Sequence, residues 1–285
     1  MRDRWKTPGG LAFRRQFTDR LASGFSYAAT TVSVLALASI VWTLLSRGLP
    51  GLTLLTFTHM TASPGQEGGL ANAIAGSLFQ TAAAIALGAP LGLMCGIYLA
   101  DYGQGKLAST VRFVSDMLLS APSILIGLFV YQTIVAPIGH FSGFAGAIAL
   151  AILALPIVVR TTEDMLRLVP VSMREAGIAL GASKWRVILF ICLRAAKTGV
   201  MTGILLAVAR VAGETAPLLF TSLGNSGWSF SPAEPMASLP VTIYQYAGSA
   251  FTDWAQMAWT GALLITLGVL AINILVRTGF GRNGT

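Results

Sequence analysis

Two ionisable residues interrupt the apolar run VARVAGETAPLLF, and no others in the chain have types and spacing so suited to chemistry: Arg210 and Glu214. A spacing of i, i+4 sets them on one face of a helix. At 1.5 Å per residue from the start of the run near Thr198, Arg210 falls roughly 18 Å along that helix, near the middle of a ~30 Å apolar layer. A charge at that depth costs about 2.5–3.5 kcal/mol on insertion scales and turns toward protein or water rather than lipid. The pair has two readings. As a buried salt bridge it locks helix packing, and removing one member destabilises the fold. As a substrate handle, Arg210 offers its planar fork of donors to a tetrahedral oxyanion, Glu214 holds the arginine when no anion is present, and Thr215 adds a hydroxyl. Gly213 and Pro217 can open the backbone there, which is tolerated only beside protein or a cavity.

A second constellation lies in the polar stretch RTTEDMLRLVPVSMREAGIALGASKWRVILFICLRAAK, from Arg160 to Lys197. Pro170 ends what precedes it. Ser172 stands three residues before Glu175, the pattern of a capping box. A short helix is predicted from Glu175 to Leu180, with Gly181 as its stop and Ser183 as the cap of a second helix. Taken alone, such a segment fits an amphipathic helix on lipid headgroups. Glu175-Ala176-Gly177, Gly181 six residues after the glutamate, and then Ile191 and Leu193 resemble the EAA loop of ABC-importer permeases, E-A-A-x3-G-x9-I-x-L-P. The chain departs from that pattern at Gly177 and at Arg194, which stands in place of the proline. The resemblance implies that Glu175, Ala176, Gly177 and Gly181 belong to a coupling helix that inserts into a groove on a separate ATP-hydrolysing subunit.

The chain has no G-x4-G-K-[ST] of its own; Gly105-Lys106-Leu107 is the nearest fragment and lacks the hydroxyl for Mg²⁺. No catalytic residues are expected, and ATP and Mg are expected on the partner ATPase rather than here. Cys95 and Cys192 lie far apart, without the spacing or histidines of a metal site, and read as packing residues.

The elements that must position these residues are helices in lipid. Of 285 residues, 54% are hydrophobic and 11% charged, with a mean hydropathy of +0.72, far too apolar for a soluble domain. The net charge of +8 is not gathered into the basic stripe with interleaved aromatics that nucleic acid would need. Charges bracket six apolar segments, about 24–45, 74–100, 114–137, 143–160, 198–220 and 256–276. They make an all-α integral membrane domain over 24–277, preceded by a basic tail, 1–23, and followed by a short one, 278–285. The first segment runs on past Ala36-Leu37-Ala38 through Trp42 and Leu45, too long for a signal-peptide core, so an uncleaved helix is expected. Lys and Arg cluster before segment one, between segments two and three (Lys106, Arg112) and from Arg160 to Lys197, whereas the alternate loops carry only Arg47. By the positive-inside rule both termini and the loop 161–197 are cytoplasmic. Gly88, Gly92 and Gly96 form a small-x3-small stripe for close helix contact. Ser120-Ala121-Pro122-Ser123 predicts a kink in segment three, and the stretch from 221 to 256 reads as irregular.

The runs LPIVVRTTEDMLRLVP, MTGILLAVARVAGETAPLLFT, LPVTIYQYA and GIYLADY are similar to the phosphate-specific ABC-importer permeases of the PstA type, over most of the chain from about Gly69 to Arg277. That resemblance implies a type I ABC importer permease fold in a bacterial inner membrane. It also implies a second homologous permease, a cytoplasmic ATPase dimer and an extracytoplasmic phosphate-binding protein as partners, and a part for Arg210 and Glu214 in phosphate passage. A permease for another oxyanion or solute fits the EAA loop equally. A secondary transporter is the remaining alternative, but no paired broken-helix repeat is evident and the coupling loop would have no task.

Overall fold

The computed structural model describes residues 9–229 and 231–281, with side chains from 13 to 274, and every regular element among them is helical. Helix α1, Gly9–Gly48, is almost bare: only 6% of its most apolar window is buried. A helix apolar all round is solvated by lipid. Its hydroxyls at Thr18, Ser26, Thr30, Thr31, Ser33 and Thr43 donate to carbonyls one turn back, so none needs water. The helix starts well inside the stretch expected as a tail, and residues 1–8 lie outside the described residues.

The centre is a pair of helices, α2 (Ala71–Asp101) and α5 (Gly143–Arg167). The glycine stripe packs them, as expected. A Cβ on Gly92 would lie 2.8 Å from that of Val158, and one on Gly96 would lie 2.6 Å from that of Thr162. Two-thirds of the apolar window of α5 is buried, against 28% for α2, so α5 is the central strut. Ser142 caps it, accepting from the Ala145 amide at 3.1 Å.

Segment three is not the single helix 114–137. Helix α3 (Gly105–Ser120) and the helical run α4 (Ser123–Ile138) meet at 105°. Pro122 has no N–H and forces Ala121 out of the helical region, to φ −67°, ψ 136°. The predicted kink is a right-angle corner. A widened π-helical turn, Tyr131–Val135, precedes Pro137 and gives its ring room.

After α5 come the short α6 (Val171–Ala179), α7 (Lys184–Ala195) and α8 (Lys197–Ala212), with α7 and α8 bent by 73°. Segment five therefore starts earlier than 198 and breaks before 220: α8 stops at Ala212 and a new helix, α9 (Ala216–Thr221), follows. The stretch expected to be irregular contains α10 (Leu239–Ala247), with Pro240 in its first turn. Helix α11, Thr252–Gly281, is the last described element and carries α1, through Thr260 Oγ1 on the Gly48 carbonyl at 3.1 Å and Gln256 on the Arg47 carbonyl at 2.6 Å. Among the described residues four helices are long and apolar enough to span a membrane, or up to six when each bent pair counts as one span. The six-span reading holds in that form.

Candidate substrate path and docking helix

Arg210 lies in the last turn of α8. Val200, Gly203, Ala207 and Val211 face inward, with Gly203 pressed on Thr161 of α5, while Thr202, Leu206 and Arg210 fall at i, i+4 spacing on the exposed face. Glu214 is not on the same helix. It sits in the break between α8 and α9, its amide donating to the Val211 carbonyl at 3.2 Å, and Thr215 opens α9. Helix α9 is docked by Pro217, against which Gly127 of α4 packs so closely that a Cβ there would stand 2.6 Å from the proline Cα. The corner in segment three thus supports the break in segment five.

The ion pair is long: Arg210 Nε to Glu214 Oε1 is 3.8 Å, with 47% of the arginine side chain and 17% of the glutamate exposed. That is no hydrogen bond. Among the described residues the terminal nitrogens of Arg210 have no hydrogen-bond partner. A tight buried lock would show neither feature. The arrangement is a partly restrained guanidinium on an open helix face, able to accept a bidentate anion.

The docking segment is built differently from the expectation in one respect. Helix α6 begins at Val171 with Pro170 in the cap position, and no side chain caps it. The proline, fixed at φ −55° and ψ 139°, starts the helix one residue ahead of Ser172. The hydroxyl then falls inside the first turn, and the capping box with Glu175 does not form. Ser183 likewise occupies a cap position without a side-chain bond. The stop is as read. Gly181 has φ +80°, its amide donates to the Ile178 carbonyl at 2.9 Å, and the Ala182 amide donates to the Gly177 carbonyl at 3.2 Å, a Schellman closure. Gly177, the departure from the third alanine, is buried, and a Cβ there would meet Ile191 Cδ1 at 2.7 Å. The missing methyl is what lets α6 lie on α7. Glu175, Ala176 and Gly181 face outward together with Val171, Ile178 and Leu180, the last 89% exposed.

Sequence reasoning treated Arg112, Arg167 and Arg174 as topology markers and missed what they hold. Glu163, 1% exposed, receives Arg112 Nε at 2.7 Å and Arg167 Nη2 at 2.6 Å. The i, i+4 spacing of Glu163 and Arg167 was the only signal available. At the opposite end a cavity of about 600 Å³ is lined by Thr61, Asn225, Gln245, Tyr246 and Trp254. Tyr246 stacks on Trp254 at 4.3 Å, and burial pushes its phenol up, against a hydrogen bond with Thr61 that lowers it. Asn72 of α2 fixes this end, donating to Thr61 Oγ1 and to the Asn225 and Ser226 carbonyls at 3.0–3.2 Å. Among the described residues no cluster of His, Cys, Asp or Glu side chains is placed to hold a metal ion.

Residues 88–279, from the glycine stripe through α11, match the family described as binding-protein-dependent transport system inner membrane component. The chain belongs to that family. It is 53% identical over 277 residues to the phosphate transport system permease protein PstA of Haemophilus influenzae, covering 96% of this chain and 98% of that one. This places it among the PstA-type permeases. Among solved structures it is similar to the inward-facing MetNI methionine ABC transporter, with a TM-score of 0.62 and 21% identity over 73% of this chain and 93% of that one. It is also similar to a bacterial ABC transporter involved in the import of alginate, with a TM-score of 0.61 and 11% identity over 93% of this chain and 99% of that one. At such identities the likeness concerns the fold. The permease is a multi-pass, all-α membrane protein of the type I ABC importer class.

Proposed function

We propose that this permease is one of two homologous membrane subunits of an ATP-driven inorganic phosphate importer. It lies in a bacterial inner membrane with both termini and α6 in the cytoplasm, and the lipid contacts are made chiefly by α1. Arg210 receives the phosphate oxyanion as it crosses, Glu214 restrains the guanidinium between passages, and Thr215 supplies a hydroxyl. Glu175, Ala176, Gly177 and Gly181 form the element that docks on a cytoplasmic ATPase dimer, which binds ATP and Mg. An extracytoplasmic phosphate-binding protein delivers the substrate at the opposite end.

The observation that carries this reading is the unsatisfied, half-exposed fork of Arg210 on the open face of α8, in a chain so similar to a phosphate transport permease over nearly its whole length. The exposed apolar rim of α6 at Val171, Ile178 and Leu180 supports the docking role, since such a rim in water seeks a partner groove. Replacing Arg210 with glutamine tests it: uptake of labelled phosphate is lost while the complex still assembles. Failure of the complex to assemble would instead make the pair a packing lock.

A further inference from the structure

The C-terminal end of α2 is gripped from three sides, and two of the grips come from the helices that flank the Gly181 turn. Arg174 of α6 pairs with Asp101 Oδ1 and also donates to the Leu166 carbonyl at the end of α5, at 2.6 Å. Lys184 of α7 donates to the Asp101 carbonyl at 2.8 Å and lies 4.2 Å over the Tyr102 ring. Arg112 of α3 donates to the Leu99 carbonyl at 2.8 Å and to that of Gly103 at 3.5 Å, while pairing with Glu163 of α5. The chemistry is that of a helix end, whose last carbonyls lack partners within the helix and whose dipole favours cations. The Asp101 side chain is only 4% exposed and that of Arg174 21%. Asp101 Oδ2 is buried and has no hydrogen-bond partner among the described residues.

We propose that Arg174 and Asp101, seconded by Lys184, are positioning residues that carry movement of the docking helix into the membrane core. The inference rests on the coupling role proposed for α6. That helix otherwise touches the rest of the chain mainly through Gly177 on Val187 and Ile191, a contact within its own hairpin. The hairpin's other arm, α7, packs on α5 and α2 through Val187 and Cys192 beside Leu166, Leu93 and Ile97 and through Lys184 on the Asp101 carbonyl. Helix α6 itself is tied to α2 by the Arg174 pair and to α5 by the bond to Leu166. Those two helices are locked to each other by the glycine stripe, and α8, which carries Arg210, packs on α5 through Gly203 and Thr161. A displacement of α6 therefore moves α2 and α5 together and reaches the Arg210 face through one continuous set of packed elements.

The test uses the whole complex in proteoliposomes, with phosphate imported per ATP hydrolysed as the readout. Arg174→Ala leaves the outward face of α6 intact, so the ATPase still co-purifies and hydrolyses ATP, while the import ratio falls about tenfold or more. Asp101→Asn gives the same phenotype, and Arg174→Lys, which keeps a cation on Asp101, recovers much of the ratio. An unchanged ratio in Arg174→Ala overturns the inference. So does a variant whose assembled yield falls while the surviving complex keeps the wild-type ratio, because that is a merely structural role. If the wild-type chain retains no ATPase, the coupling reading fails and this inference with it.

Discussion

At the residue scale the central fact is that Arg210 is held but not satisfied. A guanidinium donating two charge-assisted bonds to a carboxylate sits at about 2.7–2.9 Å; here the approach is 3.8 Å, and nearly half the side chain is open. A hydrogen bond to a charged group is worth about 1.5–3 kcal/mol, so Arg210→Gln weakens binding of a passing anion by roughly ten- to a hundredfold per lost bond. Arg210→Lys keeps the charge and loses the fork, and initial-rate uptake is expected to lie between wild type and glutamine. Equal uptake by the glutamine variant and wild type would remove Arg210 from the path. The residue types and their i, i+4 spacing were legible in the sequence, but the break between them was not. Gly213 and Pro217 allowed a break, and only the docking of Pro217 on Gly127 decides it. The buried carboxylate Glu163 escaped notice because its partners, Arg112 and Arg167, come from separate helices and from the next turn.

At the scale of elements, local chemistry and packing divide the work. Pro122 breaks the helix between α3 and α4 by taking Ala121 out of the helical region, and Gly181 stops α6 because φ +80° suits glycine. Both signals were in the sequence, although a corner of 105° exceeds what a proline kink alone suggests. The capping box at Ser172 was misread because a proline at 170 pre-empts the helix start by one residue. The glycine stripe is a pure packing device: Gly92→Leu would place a branched side chain where Val158 already stands 2.8 Å from a Cβ. Overpacking of that kind costs about 1–3 kcal/mol or more, so the purified complex should melt at lower temperature and accumulate less in the membrane. A wild-type melting curve for Gly92→Leu would mean that α2 and α5 do not pack through this stripe. The docking helix has its own test. Glu175 is exposed, and among the described residues its carboxylate has no hydrogen-bond or ion-pair partner, so Glu175→Lys should leave insertion normal while ATPase association or phosphate uptake drops. Both remaining normal would contradict the coupling role.

At the scale of the whole molecule the chain reads as half of a path. One side of it is bare helix, α1, suited to lipid. The central strut α5 is buried, and the open face of α8 with Thr202, Leu206 and Arg210 points away from the chain's own core. A second homologous permease placing its own helices against that face would close a conduit, with the cavity beside Tyr246 and Trp254 at one end and the α6 hairpin at the other. The segment count and the charge asymmetry made the polytopic fold readable from composition alone. The bent pairs were not readable that way, because hydropathy measures how apolar a stretch is and carries no record of direction. The measurement that tests the central claim most directly is ATP-dependent uptake of radiolabelled phosphate by bacteria lacking their own high-affinity phosphate permease. This chain is supplied with its partner subunits, and an ATP-depleted sample runs in parallel. Uptake that requires both this chain and ATP is the predicted result; an assembled complex that hydrolyses ATP yet imports no phosphate would contradict it.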